Sequence, residues 1–433
     1  MNTSLKTYPK YKNSGVEWVN SIPSDWTYDK IVSLFNFPNG KVSDVDFEPL
    51  SVTYGGVKKQ VEDAAKTDNG SNRKLLKVGD IAFNGRSDRR GACGMSEYEG
   101  SISVVYHVLR KRSPNIHVPY YHHLFRNTLF SQEFYRWGRG IHDDMWTTRI
   151  LEMKRIQIPV PPLETQKSIA SFLDERIKAI DDLVAKKEKT IELLREKRAA
   201  LITNAVTKGL DLKAKMKSSE IDWLDEVPAE WKKLPLKFLF SYQSGGVWGD
   251  EARNDVNDLI CVRVADFDFV EFTAHSSDFT YRNLPDIKKG LLLDENSILL
   301  EKSGGGDQQP VGRTVRYLGK EQAICSNFIQ KLQVDKKYNS EFIILLLSTL
   351  YFNGVTLKVI KKTTGIQNLD LPAFLRTDIF LPSKNEQKQI VDFVNVISTN
   401  IIDSIKKMNQ QIDLLKEYRS SLIYSAVTGK AKV

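Results

Sequence analysis

The sequence predicts an α+β fold. Two α/β insert domains are joined by two long helices that form an antiparallel coiled coil, and the arrangement is pseudo-two-fold symmetric. Three observations predict it: a short segment that occurs twice, a long helical segment that occurs twice, and the dissimilarity of the stretches between them.

The short repeat comes first because internal duplication decides the architecture. Val16-Glu17-Trp18, Ile22-Pro23 and Trp26 return as Ile221-Asp222-Trp223, Val227-Pro228 and Trp231, at an offset of 205 residues without a gap. The long repeat has an offset of 221. It pairs Gln166-Lys167 with Gln387-Lys388, and Leu193-Leu194-Arg195-Glu196-Lys197-Arg198 with Leu414-Leu415-Lys416-Glu417-Tyr418-Arg419. Ala205-Val206-Thr207 then matches Ala426-Val427-Thr428.

The intervening stretches share only faint echoes, such as Asp80-Ile81-Ala82-Phe83 with Ser297-Ile298-Leu299-Leu300. Each ends in an isoleucine-rich strand closed by proline, Ile156-Gln157-Ile158-Pro159 and Ile379-Phe380-Leu381-Pro382. The layout is therefore an N-terminal segment (1–26), a first insert (27–158), a first long helix (159–213), a copy of the N-terminal segment (214–231), a second insert (232–381) and a second long helix (382–433).

The helices follow from a seam. Positions 173, 177, 180, 184, 187, 191, 194, 198, 201 and 205 alternate spacings of four and three, and eight of the ten are apolar. The copy at 394, 398, 401, 405, 408, 412, 415, 419, 422 and 426 also has eight apolar residues of ten. Neither segment contains Pro or Gly internally; prolines precede both, and Gly209 and Gly429 stand where a C-cap glycine belongs. About 44 residues at ~1.5 Å each make a helix of roughly 66 Å. Two such helices bury their seams on each other, and a two-fold axis makes them antiparallel. Arg198 and Arg419 share one seam position, as end-of-helix arginines whose stems lie along apolar surface or as charges that fix register or dock a partner.

Composition narrows the function. A chain of 433 residues suggests roughly three domains, and 41% hydrophobic residues suffice for real cores. The net charge of +9 suits a polyanionic partner. Three scattered cysteines without CxxC spacing argue against a disulfide framework or zinc site and fit a reducing cytoplasm. No apolar signal segment or membrane-length apolar run is present, so an intracellular, cytoplasmic protein is expected.

The inserts are not uniformly basic. Residues 27–158 hold 20 Lys and Arg against 15 Asp and Glu, and residues 232–381 hold 19 against 18. Local clusters carry more meaning. Candidate DNA-contact residues are Arg86, Arg89, Arg90, Arg139 and His142 in the first insert. In the second they are Lys302, Gln308, Gln309, Arg313, Lys361, Lys362, Thr364, Gln367 and Asn368. Lysine, threonine and backbone amides suit phosphates, glutamine and asparagine suit adenine edges, and arginine suits guanine. Trp137 and Trp146 read as core or hinge residues rather than stacking platforms.

No catalytic set stands out. There is no P-loop, HExxH, GxSxG, dinucleotide fingerprint or adenine-methyltransferase motif, and the neighbouring His122-His123 point apart, which is poor metal-ligand spacing.

The duplicated order resembles the specificity subunits of type I restriction–modification enzymes over essentially the whole chain. The residues that carry the resemblance are Ser14-Gly15-Val16-Glu17-Trp18 with Ile22-Pro23-Ser24-Asp25-Trp26, their copy at 221–231, the stretch 158–167 and its counterpart 381–388. Thr364-Gly365-Ile366-Gln367-Asn368-Leu369 looks like the usual close of a target-recognition domain. Two places depart from the pattern: Thr165 stands where glutamate is usual, and Gly140-Ile141-His142-Asp143-Asp144-Met145-Trp146 replaces the Gly-Ile-Gln-Asn-Leu form.

The resemblance implies a DNA-binding restriction-system subunit with two target-recognition domains and no catalysis of its own. Each domain would bind half of a split double-stranded target, with the helices setting the gap. Two methyltransferase subunits and, for cleavage, two restriction–translocase subunits would be its partners. S-adenosylmethionine, ATP and Mg would sit on those partners, and no cofactor on this chain. Two other readings use the same features: a coiled-coil scaffold joining protein-binding domains without sequence-specific DNA binding, and an enzyme with its own activity. Sequence-selective binding, and activity without partners, separate them.

Overall fold

The computed structural model describes residues 6–60, 70–86, 90–141, 146–275, 278–363 and 365–433. The chain forms two compact units, Met1–Glu188 with Asn409–Val433, and Lys189–Met408.

In the first unit the strand Tyr11–Asn13 pairs antiparallel with Ser21–Pro23, and the C-terminal tail joins them through a Lys6–Lys432 bridge. Trp26 is fully buried beneath. Strand Thr27–Lys30 enters the insert and pairs antiparallel with Gln157–Val160, which leaves it. The insert is thus clasped at its base. Within it, Tyr106–Lys111 lies between Ile81–Asn84 and Phe35–Asn36, with Cys93–Met95 at the edge. Helices Val118–Phe125 and Thr128–Arg136 belong to an aromatic core of Phe35, Phe83, Tyr121, Phe125, Phe130 and Phe134. Neighbouring rings in that core meet mostly edge-on or tilted, the favoured geometry for quadrupoles.

The second unit repeats the plan. Met216–Ile221 pairs with Leu224–Pro228, and Lys232–Pro235 pairs with Asp378–Leu381 at the base of the insert. Ser297–Glu301 lies between Ile329–Val334 and Thr314–Tyr317 in a six-stranded sheet. The corresponding registers agree: Lys111 faces Phe35 as Val334 faces Phe240, and Tyr106 faces Asn84 as Ile329 faces Glu301. The apolar run 342–347 forms the middle of helix Ser340–Phe352 and is buried all round. Asn339 caps that helix, its side chain accepting from the backbone N–H of Glu341 and Phe342. Among the described residues no helix is long and apolar enough to cross a membrane.

The predicted long helices are Leu163–Lys208 and Lys384–Val427. All twenty seam positions are buried or half-buried. Within each unit one half of a helix lies antiparallel to the opposite half of the other. In the first unit Lys187 Nζ donates to Gln411 Oε1 at 2.6 Å and Arg419 Nε to Asp181 Oδ1 at 3.0 Å, so one number rises as the other falls. In the second unit Ile202, Ala205 and Val206 share a core with Ile390, Val391 and Val394. Gly209 and Gly429 follow the helix ends with φ of 71° and 72°.

The twin arginines behave differently. Arg419 has Asp181 to pair with, but the residue that corresponds to Asp181 in the second copy is Ile402. Arg198 instead reaches into its own insert: Nη2 donates to the Val270 carbonyl at 2.5 Å, and the guanidinium stands 5.2 Å from the Phe272 ring. Burial pulls its pKa down.

Candidate nucleic-acid interface

In the second unit the sheet brings together residues some sixty positions apart in sequence. Ser303–Gly304 pairs with Ile366–Leu369, which pairs in turn with Ile360–Thr363. Gly304 lies opposite Gln367 and Ser303 opposite Asn368, while Lys361 and Lys362 face Asn368 and Gln367 from the other side. From this ribbon the loop 304–309 projects. Gly304 and Gly305 take φ of 111° and 58°, and a Cβ on Gly305 would lie 2.9 Å from the Val311 nitrogen, so only glycine fits. Gly306 N–H donates to Gln309 O at 2.9 Å and closes the turn.

The predicted residues divide into those that face outward and those that the protein itself holds. Gln308 and Gln309 are exposed. Lys361 pairs with Asp370 at 2.7 Å and Lys362 with Asp307 at 2.7 Å, both on the surface. Lys302 is half-buried, its Nζ 3.5 Å from Gln330 Oε1.

Three residues expected to touch DNA are instead engaged internally. Gln367 is 5% exposed, and its Oε1 accepts from Val311 N–H at 3.3 Å. Strand alternation turns it inward while its neighbour Ile366 faces solvent. Asn368 is half-buried, its Oδ1 accepting from Ser303 Oγ at 2.7 Å. Arg313 forms a two-pronged pair with the buried Glu301, at 2.7 and 3.1 Å, lies 4.1 Å from the Phe269 ring and donates to Gln309 Oε1 at 3.2 Å. Gln367 and Arg313 therefore shape the loop from beneath. Thr364 lies outside the described residues.

The first unit carries the same device with different residues. Thr147 bridges Arg86 on one side and Arg139 on the other, as Asn368 joins Ser303 and Lys361. Thr148 N–H donates to Gly85 O at 2.9 Å, matching Leu369 N–H to Lys302 O at 2.8 Å. Arg86 and Arg139 are exposed; Arg139 lies 4.0 Å from Glu152. Arg90 is exposed with its guanidinium 5.5 Å from the Tyr135 ring. Arg89 and His142 lie outside the described residues. Trp137 and Trp146 are half-buried and bonded inward, to Glu133 Oε1 and the Tyr135 carbonyl, each at 2.8 Å.

Reading the sequence missed Trp248, Arg263 and Phe328, which line one cavity of about 790 Å³ with the 304–309 loop. The available signal was glycine around Trp248: a Cβ on Gly246 would fall 2.1 Å from the Ser326 carbonyl, so the chain is pressed close there and the tryptophan projects beyond it.

Nothing among the described residues resembles a catalytic centre. No cluster of His, Cys, Asp and Glu there could hold a metal. Burial pushes the thiols of Cys93 and Cys325 up to about 12 and that of Cys261 to about 11, opposite to what a nucleophile needs. His122 Nδ1 accepts from Met95 N–H at 3.0 Å, and His123 Nε2 lies 2.8 Å from Asp174 Oδ1, so each histidine has its own protein partner.

The two units are modules of one plan, and each carries a polar ribbon of different composition. A family model described as the type I restriction modification DNA specificity domain matches residues 74–193 and 228–414, and the chain belongs to that family. The MjaVIII type I restriction enzyme specificity subunit of Methanocaldococcus jannaschii is 26% identical, over 65% of this chain and 63% of its own length. The StySPI specificity subunit of Salmonella potsdam is 21% identical, over 64% and 58%. The matched region spans less than two thirds of these relatives. In fold, the chain is similar to one from a solved structure on complex assembly and conformational transition of the type I R-M system, with a TM-score of 0.70 at 14% identity, covering 94% of this chain and 98% of that one. The HsdS subunit from Thermoanaerobacter tengcongensis gives 0.51, also at 14% identity with 94% and 98% covered.

Proposed function

We propose that this chain is the sequence-specific DNA-binding specificity subunit of a type I restriction–modification complex. It recognises a bipartite target in double-stranded DNA, one half-site per unit, and directs adenine methylation or cleavage performed by other subunits. The observation that carries this reading is the duplicated ribbon. The same backbone device occurs at the same place in both units, but its outward residues differ: Arg86 and Arg139 in one, Gln308, Gln309, Lys361 and Lys362 in the other. Identical scaffolds with different polar tips suit an asymmetric split sequence. Phosphate contacts would position each unit and base contacts would specify.

Two methyltransferase subunits and two restriction–translocase subunits are the expected partners in this reading. S-adenosylmethionine, ATP and Mg belong to them, and the target adenine would be flipped into their site. The chain would work in the cytoplasm. The test is modification mapping: co-express the chain with its methyltransferase subunit and locate methylated adenines across a genome. A split motif with a fixed gap is expected. Unsplit or sequence-independent methylation, or none despite a stable complex, would overturn the reading and favour a scaffold.

A further inference from the structure

The cavity beside the 304–309 loop contains an arginine prepared differently from the surface lysines. Arg263 follows strand Asp258–Val262, and its side chain is 38% exposed. Asp266, 3% exposed, holds it: Nη2 donates to Oδ1 at 3.1 Å, Nε lies 3.4 Å from Oδ2, and Oδ2 also accepts the Arg263 backbone N–H at 2.8 Å. The Nη1 group makes no hydrogen bond among the described residues. Two exposed rings line the same cavity. Trp248 has the Arg282 guanidinium 4.1 Å from its ring, and Phe328 is 44% exposed.

From this geometry we propose that Arg263 is a base-reading residue of the second unit, whose free donors meet the N7 and O6 acceptors of a guanine. The proposal rests on the reading of the chain as a split-target DNA binder and names one of its specificity residues. The argument is one of charge and donor count. A guanidinium has five N–H donors in a planar fork; Asp266 engages Nε and Nη2 and leaves Nη1 and the outer hydrogen of Nη2. The paired carboxylate also cancels the net charge. Such a group gives little Coulomb attraction to phosphate, yet keeps donors for a neutral acceptor pair, and guanine is the base that offers two acceptors side by side in the major groove. The short tether to Asp266, three residues on, restricts the fork's rotation, so discrimination costs little ordering. Lysine offers neither the fork nor the pairing geometry.

The experiment uses the full-length chain with its methyltransferase subunit. The motif is mapped for the natural protein, R263K and D266N, and duplexes substituted at each motif position are titrated over a range of salt. R263K is expected to lose about 5- to 150-fold of discrimination at one G·C pair in one half-site. The other half-site and the salt slope should stay as they were. D266N keeps the side-chain volume and the arginine but frees its charge; discrimination at the same pair should fall while the salt slope steepens. Should R263K abolish binding altogether, D266N carries the test alone. Unchanged discrimination in both variants overturns the proposal. So does a salt slope that drops by about one with discrimination intact, the mark of a phosphate contact. A second half-site without guanine also overturns it. If the natural protein shows no split motif, the parent reading fails instead, before any variant is compared.

Discussion

Arg313 is the residue whose loss should separate a structural role from a DNA-contacting one. Its side chain is 13% exposed and that of its partner Glu301 is 1% exposed, with two short contacts between them. Replacing Arg313 by alanine would strand a buried carboxylate at the end of strand Ser297–Glu301, beside Thr314–Tyr317, without the guanidinium that pairs it. Breaking a buried pair from one side costs about 3–5 kcal/mol, several times the value of a surface bridge. Hydrogen exchange followed segment by segment should show amides of those two strands exchanging about two to nearly four decades faster, since ~1.36 kcal/mol is a factor of ten. Amides of Ile81–Asn84 in the first unit should keep their rates, and recognition of one half-site should weaken. The double change R313M with E301L removes both charges together and should restore most of the protection. A loss below about 1 kcal/mol in R313A would refute the reasoning, because it would mean that Glu301 is solvated or relaxes freely.

Lys362 provides the contrast. It is 66% exposed and its partner Asp307 85% exposed, so K362A should leave stability within about 0.5 kcal/mol. If it touches phosphate, the salt slope of DNA binding should fall by about one. Thr165→Glu should stabilise the first unit by about 1 kcal/mol. Glu386 accepts from Trp231 Nε1 at 3.1 Å, whereas among the described residues the buried Trp26 Nε1 meets no carboxylate, only the neighbouring Tyr8 side chain, and Thr165 occupies the position corresponding to Glu386; an unchanged melting temperature would show that the added carboxylate does not reach. His122 is held neutral, its pKa pushed down to about 3 by burial first and then by His123 and Arg126. The unfolded chain takes up its proton near the usual ~6.5. The contribution of neutral His122 is therefore complete above that value and is lost as pH falls toward about 3, by up to ~1.4 kcal/mol per pH unit. Urea midpoints of H122N should fall less steeply over that window, and parallel slopes would contradict the assignment.

The frame was legible in the sequence because long-range identity and heptad spacing report directly on helix faces. The twenty seam positions, the clasping strands and the C-cap glycines can all be read without coordinates. The candidate site was legible only as a neighbourhood. Gln367 and Arg313 look like readers in a linear string, but their orientation depends on Val311 and Glu301, which strand pairing brings to them. Arg263 and Trp248 escaped notice for the complementary reason: they meet the 304–309 loop across the sheet, and no spacing in the sequence records that meeting. Arg198 and Arg419 occupy one position in the repeat yet bond differently, because a single partner changed from Asp181 to Ile402.

How the frame holds its inserts has a consequence for the history of such proteins. Gln166 Nε2 donates to the Pro161 carbonyl at 2.8 Å and its Oε1 accepts the His117 backbone N–H at 2.9 Å. Gln387 does the same with the Pro382 carbonyl and the Asn339 backbone N–H, each at 3.0 Å. On the insert side both grips fall on main chain, which every sequence possesses. A foreign domain with the same entry and exit strands would find these two main-chain grips ready, and would have to match the frame only where its own side chains meet the long helices, as Tyr120 meets the Val427 carbonyl and His123 meets Asp174. Drift and recombination can therefore rewrite the exposed loops of an insert while these grips stay in place, and new preferences can arise on an old chassis.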